Sequence, residues 1–584
     1  MRLSEALEIL NAARTSQAPV FRAILACGFT PLHLATFFAA HLQARFPDRR
    51  VSVASGLYGD LIGNITRLES EDAAAVVVEW LDLDPRLGYR RLGGWRPSQL
   101  GEIVQGCEAA LADLETALER AAGRVPLAVA FPALPLPPAF MPPNCRASAE
   151  ALRLRAAVSF CAERLAGRRG VAVTNPEELD RQSPLAGRFD LKSDLLTGFP
   201  YANQHAEVLA RLLAAAVPGG IPQKKGLITD LDDTLWQGIL GEAGVDGLSW
   251  DLDHHSQIHG LYQQVLAGLA EQGVLIAAAS KNDSALVEQA FTTRHDLLIS
   301  PGSIFPREAG WGPKSESVGR ILRRWNIGPE SAVFIDDSPL EVAEVRAAFQ
   351  SMQCLQYPKG DYDAVLALLR QLRDLFGKDA VEAEDALRLD SIRRGGDFEQ
   401  ASTSAAGRQE EFLAGLEARL SFTVNPPASE SRVLELVNKT NQFNLNGERY
   451  GEAEWSRLQA EPGALTVAVA YQDKFGPLGT IAVMHGARGG RTLHLRTWVM
   501  SCRAFSRRIE HRCLEFLFDH LGVDQVHLKF RATERNGPLR EFLAALLGHE
   551  PEEDFGFSRA DCAGRLPALH HAVEIKSSEV YANG

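Results

Sequence analysis

Gly226-Leu227-Ile228-Thr229-Asp230-Leu231-Asp232-Asp233-Thr234-Leu235-Trp236 is an apolar run that ends in three carboxylates within four residues. Preceded by Lys224-Lys225, it reads as a buried strand whose C-terminal end delivers Asp230 and Asp232 to a site. The carboxyl edge of an open α/β sheet is where such folds bind ligands. Carboxylates this close repel one another unless a hard divalent cation such as Mg²⁺ sits between them and a phosphate. A helix cap or solvated turn is the bland alternative, since Asp-Asp-Thr is good capping chemistry.

Three further stretches follow in order. Leu275-Ile276-Ala277-Ala278-Ala279-Ser280-Lys281-Asn282 is a second apolar strand ending in a hydroxyl, Gly312-Pro313-Lys314 sets a lysine before a helix, and Val333-Phe334-Ile335-Asp336-Asp337 is a third strand ending in acids. Together they resemble the haloacid dehalogenase superfamily of phosphotransferases. The resemblance implies Asp230 as the nucleophile that takes the phosphoryl group and Asp232 as general acid/base. Ser280, Lys281 and Lys314 would bind the phosphate, and Asp230, Asp232, Asp336 and Asp337 the Mg²⁺. The residue types suit that chemistry, because a carboxylate can form an aspartyl-phosphate and a lysine and a metal neutralise phosphoryl oxygens.

Asp230-Leu-Asp-Asp-Thr-Leu-Trp-Gln-Gly-Ile-Leu-Gly-Glu242, Ser280-Lys-Asn-Asp283 and Phe334-Ile-Asp-Asp-Ser-Pro339 are similar to the FkbH-like branch, type IIIC. The likeness runs on through Asn438-Lys-Thr-Asn-Gln-Phe-Asn444 and Thr497-Trp-Val-Met-Ser-Cys-Arg503, over roughly residues 222 to 550. It implies transfer of a glyceryl or related acyl unit from 1,3-bisphosphoglycerate, a phosphorylated three-carbon substrate, to an acyl carrier protein, with release of phosphate, in polyketide or other secondary-metabolite biosynthesis. A phosphatase of another phosphorylated metabolite and a non-catalytic assembly factor for carriers are the alternatives. A cysteine often precedes the second-motif serine in that branch; Ala279 stands here.

The chain of 584 residues exceeds what one core supports. The expected architecture is multidomain α/β: an N-terminal parallel-sheet domain (1–222), a central doubly wound, Rossmann-like phosphotransferase domain without a large cap (223–377), a helical connector (378–428) and a C-terminal α+β domain (429–584). With 46% hydrophobic and 23% charged residues the composition is that of ordinary globular protein. A net charge of −13 argues against nucleic acid. Eight cysteines without CxxC pairs suit reduced thiols, read as small buried apolar residues, in a cytoplasm. The start carries acids too early for a signal peptide and no run reaches membrane-span length, so no membrane is expected.

In the N-terminal stretch, strands are predicted at 21–28, 51–54, 75–80, 125–131 and 170–174, with a helix over 103–124. Six prolines in the twelve residues Pro132 to Pro143 make a loop. The order permits a domain similar to the SGNH hydrolases, but Ala26-Cys-Gly-Phe-Thr30 stands where the nucleophilic serine belongs. Gly63-Asn64 and His205 are the residues able to imitate the rest of that site. Around the second motif there is room for a flap starting at Trp236, predicted as a hairpin to Gly244, and for no cap domain; an open site suits a large substrate. The connector is predicted to hold helices over 380–394 and 408–420.

The last domain resembles the GNAT acetyltransferase fold. Ser506 and Arg508 fill the glycine places of its pyrophosphate turn, so weak coenzyme A binding is expected, although arginines there attract phosphate. Cys354 and Cys502 are the candidate thioester cysteines. An acidic carrier meeting a chain of charge −13 needs a local basic patch, and Arg320, Arg323 and Arg324 on the helix after Lys314 are the densest candidate.

Overall fold

The computed structural model describes residues 1–143, 145–218, 223–378, 409–427, 431–440, 442–474, 476–501, 504–505, 507–533, 536–562 and 564–577. The chain divides into two compact units, Met1–Ile221 and Pro222–Gly584.

The N-terminal unit is built on β1 (Val20–Cys27), β2 (Arg50–Ser55), β3 (Ala73–Val77), β4 (Leu127–Ala130) and β5 (Val171–Val173). They form one parallel sheet in the order β2-β1-β3-β4-β5. All five residues of β3, Ala-Ala-Ala-Val-Val, are buried, as a central strand covered on both faces requires. The helix Leu100–Ala122 buries Ile103, Val104, Cys107, Leu111, Leu114, Leu118 and Ala121, one stripe at 3.6-residue spacing. The proline-rich segment carries neither helix nor strand.

The second unit opens with β6 (Gly226–Thr229), β7 (Leu275–Ser280), β8 (Ile304–Ala309), β9 (Ala332–Asp336) and β10 (Gln353–Gln356). These are parallel, in the order β10-β9-β6-β7-β8. Alternate side chains of one strand enter different cores. Leu227, Ile276 and Val333 pack with the helices Gln257–Glu271 and Tyr362–Phe376. Ile228, Ala277 and Phe334 pack with Lys314–Trp325 and Pro339–Ala348. From β6 the chain winds one way through β7 and β8, then returns to the other side as β9 and β10. The crevice between β6 and β9 is therefore a topological switch point.

The flap differs from a hairpin. Residues 240–243 form one helical turn, and a single bridge joins Gln237 to Ser249. Gly238 and Gly244 take positive φ (109° and 68°), which reverses the chain too early for paired strands. No separate domain lies between β6 and β7 or between β7 and β8.

The remaining strands are β11 (Arg419–Val424), β12 (Phe443–Asn444), β13 (Ala464–Asp473), β14 (Gly476–Gly489), β15 (Thr492–Met500), β16 (Gln525–Leu528), β17 (Phe555–Ser558) and β18 (Ala572–Ser577). Their sheet runs β17-β16-β15-β14-β13-β11-β18, with β12 against the end of β15. In the stretch read as helical connector, the helix ends at Ala414 and Arg419–Val424 is β11, paired with β13. Its alternating burial, Leu420, Phe422 and Val424 inward, is a strand period that the charged flanks obscure in sequence. The helix predicted over 380–394 lies outside the described residues.

Candidate active site

β6 stops at Thr229 and hands Asp230 to the switch point, where its N–H donates to Ile335 O of β9 at 2.8 Å. Lys314, at the start of its helix and only 2% exposed, reaches the same place. Its Nζ lies 2.7 Å from Asp230 Oδ1 and 2.6 Å from Glu341 Oε2, and it also donates to Asp336 Oδ2. Burial pushes the Asp230 carboxyl up to about 6 and that of Asp336 up to about 8, with Lys314 opposing both shifts. Burial works against the charge of Lys314 too, yet Asp230 and Asp336 hold its ammonium above the ordinary lysine range. With Glu341 shared between Lys314 and Lys281, Asp230 and Asp336 are left to the one Lys314 ammonium, so the crevice is short of positive charge.

Asp232 faces differently. Its Oδ1 accepts from the indole N–H of Trp236 at 3.0 Å and its Oδ2 from the amide of Asn282 at 2.9 Å; the same amide donates to Ser280 Oγ at 2.9 Å. Asn282 thus aligns the second-motif hydroxyl with the second acid. Ser280 is buried at the end of β7.

Carboxylate oxygens of Asp230, Asp336 and Asp337 all lie within 4.8 Å of one another, the one such group among the described residues. The Asp232 carboxylate, expected among the metal ligands, is not in it, because Trp236 and Asn282 hold it away as a candidate proton carrier. Hard oxygen donors with excess negative charge fit a hard divalent cation.

Four residues of the site were not singled out from sequence. Glu341 bridges two lysines, Lys314 and Lys281, the latter 3.0 Å from its Oε1. Its position three residues after the helix cap Ser338 reads in sequence as capping chemistry. In sequence Asn282 is one residue of a motif and Trp236 the start of the flap, and neither position signals a bond to Asp232. Lys359 bridges Asp233 Oδ2 at 3.1 Å and Asp337 Oδ2 at 2.8 Å at the mouth, and nothing in its local sequence signals this.

The other expected sites stand as follows. Asn64 bonds the backbone N–H and C=O of Leu57 and the carbonyl of Cys27, a loop clamp. His205 is fully buried with Nδ1 2.9 Å from Ser183 Oγ; burial pushes it down to about 3, so it stays neutral in an enclosed pair. Burial pushes the Cys27 thiol up to about 12. A Cβ on Gly28 would fall 1.7 Å from Asp82 Oδ1, which is why glycine follows β1. In the last domain, Arg507 pairs with Asp473 and Arg508 with Glu410, so these arginines are already engaged. Cys502, Arg503 and Ser506 lie outside the described residues. Cys354 is buried, as are Cys27, Cys107, Cys161, Cys513 and Cys562, whereas Cys145, expected buried, is exposed beside the proline-rich loop. On the helix after Lys314, Arg320 pairs with Glu308 and Arg324 lies over the Phe305 ring. A cleft of about 590 Å³ runs along the outer face of that helix, past Ser315, Arg323 and Asn326 to Phe349 and Gln442; it is not at the Asp230 site. Among the described residues, no helix is long and apolar enough to cross a membrane.

No family model matches the chain, and no curated protein matches it. Among solved structures it is similar to the N-terminal part of the protein BF1531 from Bacteroides fragilis, described as containing a phosphatase domain and complexed with Mg. The identity is 18% and the TM-score 0.52, over 65% of this chain and 100% of that one. An uncharacterized protein from Corynebacterium glutamicum matches at 18% identity over 26% of this chain and 98% of its own, with a TM-score of 0.19, too low to support an argument. At these identities the likeness speaks for architecture: over the 65% of its length that matches, the chain has the fold of the Bacteroides structure, with a lysine–carboxylate crevice at its switch point.

Proposed function

We propose that the second unit is a Mg²⁺-dependent phosphatase or phosphotransferase that works through an aspartyl-phosphate. The observation that carries this is the constellation of Asp230, Lys314 and Asp336 in one buried crevice. The Mg complex of the Bacteroides structure supports the cation. Asp230, Asp336 and Asp337 would hold Mg²⁺, which when bound neutralises phosphoryl oxygens.

The Asp230 carboxylate attacks phosphorus as the bond to the leaving oxygen breaks, and that oxygen takes a proton from Asp232. Water, giving its proton to Asp232, then cleaves the aspartyl-phosphate to free phosphate and carboxylate. Lys314 stabilises charge on the transferred group, and Ser280, set by Asn282, donates to it. Lys281, tied to Glu341, stands as a further phosphate-binding candidate.

The finer reading is transfer of a glyceryl or related acyl unit from 1,3-bisphosphoglycerate to the thiol of an acyl carrier protein: the sulfur attacks C1, a C–S bond forms as the C1–O bond breaks, the 1-phosphate leaves with the thiol proton, and the remaining 3-phosphate ester is hydrolysed through Asp230 by the steps above. The motifs that resemble the FkbH-like branch and the lack of a cap domain inserted between β6 and β8 support it. Incubating the protein, Mg²⁺, 1,3-bisphosphoglycerate and a carrier, then weighing the carrier by mass spectrometry, tests it. A carrier gaining one glyceryl unit is expected. Phosphate release with no change in the carrier leaves the hydrolytic reading alone.

A further inference from the structure

Because every strand of the N-terminal sheet is parallel, the connections leaving the strands' carboxyl ends lie along one edge. The polar groups there are consumed internally. Asn64 clamps a loop, Asp82 Oδ2 accepts from Glu79 N–H, and Glu79 accepts from Tyr201.

Four large apolar side chains face outward. Leu57 and Tyr58 after β2, Leu92 after β3 and Leu196 after β5 are 62%, 60%, 92% and 73% exposed. Neighbouring contacts join these loops. Thr30 N–H donates to Gly198 O at 3.0 Å and its hydroxyl to Thr197 O at 2.9 Å. A Cβ on Gly198 would stand 3.2 Å from both the Tyr58 ring and the Arg90 guanidinium, and Arg90 donates to Asp194 O at 2.6 Å. Leu196 lies two residues before that glycine.

The loop from Pro85 to Gln99 brings arginines to the same edge: Arg86, Arg90, Arg91 and Arg96, with no acid in the segment. Aromatic packing sets it, with Tyr89 stacked on Phe189 at 4.7 Å and edge-on to Trp95 at 5.6 Å. Arg86 is spent on Asp84 and Glu102, while Arg91 and Arg96 are exposed. The acid Asp60 is neutralised by Arg67, and Asp190 caps a helix through Ser193 N–H. The N-terminal unit holds 23 Lys and Arg against 23 Asp and Glu, so the whole net charge of −13 falls on the second unit.

We propose that this edge docks an acidic protein whose contact face carries an apolar patch. Exposed leucines, an exposed tyrosine and exposed arginines are the composition of an interface core and its charged border. An acidic partner meets no net repulsion on a neutral unit. On the second unit it meets −13, and on the helix after Lys314 two of the three arginines are already engaged. The identity of the partner as an acyl carrier protein rests on the function proposed above.

The test uses the full chain and a purified holo-acyl carrier protein, with binding followed by calorimetry at low and high salt. Arg91→Glu with Arg96→Glu is expected to weaken binding about tenfold or more and to flatten its salt dependence. Leu57→Asp with Leu196→Asp is expected to lose at least as much, and Arg91→Lys with Arg96→Lys to keep most of it. Near-ultraviolet circular dichroism and phosphate release from p-nitrophenyl phosphate should be unchanged in all three. The proposal is overturned if the wild type does not bind the carrier, or if the charge-reversal and leucine variants bind as the wild type does. It is also overturned if this edge proves to be a dimer contact, seen as a wild-type dimer that Leu57→Asp with Leu196→Asp dissolves, or a membrane contact, seen as capture by phosphatidylglycerol vesicles that the same variant loses. Carrier binding with the expected variant pattern but no phosphate release removes the proposed chemistry and leaves the surface; phosphate release without carrier binding does the reverse.

Discussion

The two units present the same edge of a parallel sheet and use it in opposite ways. In the second unit, the carboxyl ends of β6 and β9 bring Asp230 and Asp336 onto one lysine in a crevice left short of positive charge. In the N-terminal unit, the residues after β1 and β3 close on one another: Asp82 packs against Gly28, and Glu79 is satisfied by Tyr201 and the N–H groups of Ala133 and Leu134. Polar groups that find all their partners inside the fold build structure, and groups held together against their mutual repulsion build a binding site. Fold alone does not separate the two cases.

The sharpest way to break this comparison is to remove one carboxylate from each edge. Asp230→Asn should lower phosphate release by about 10³-fold or more with the melting temperature little changed, because shape is kept and the nucleophile is lost. A variant as active as the wild type would dissolve the contrast. Chelation comes next. Stripping divalent cations should abolish phosphate release and Mg²⁺ should restore it, and calorimetry should show weaker Mg²⁺ binding in Asp336→Asn; activity indifferent to chelation would refute the cation. Lys314→Met leaves the buried Asp230 and Asp336 facing an apolar chain and should cost about 3–5 kcal/mol of stability as well as activity, measured by urea denaturation.

The smallest effect concerns the N-terminal edge. Full burial pushes Glu79 up to about 8 from 4.5. A carboxyl raised in the folded state contributes stability that is fully present below its unfolded value, about 4.5, and is lost as pH rises through about 8. Glu79→Gln cannot ionise, so the melting temperature should fall less steeply between pH 5 and 8 than in the wild type, with phosphate release untouched. A pH profile parallel to the wild type would show that Glu79 is not a buried, protonated acid.

Legibility in the sequence followed the same division. Asp230, Ser280, Asp336 and Asp337 stand at strand ends, where apolar runs break into polar residues, and Lys314 opens a helix; the order of the motifs and their resemblance to a known superfamily, not period alone, singled these residues out. The five strands of the N-terminal sheet were legible from their apolar runs. Glu341, Asn282 and Lys359 act through contacts between distant segments; Lys359 lies 126 residues from Asp233. A helical turn replaced the flap hairpin because two glycines set the backbone, and β11 hid in charged sequence because its apolar alternation spans only six residues. Asn64 and His205 stood out as able to imitate a hydrolase site because residue type was visible and enclosure was not.

The central claim is a covalent one, that phosphorus passes through Asp230. Acid-quenching the protein during turnover of a phosphate ester, digesting it and weighing the peptides tests this directly. The expected result is one phosphoryl group on the peptide containing Asp230, absent from Asp230→Asn. Phosphate turnover with that peptide never modified would contradict it.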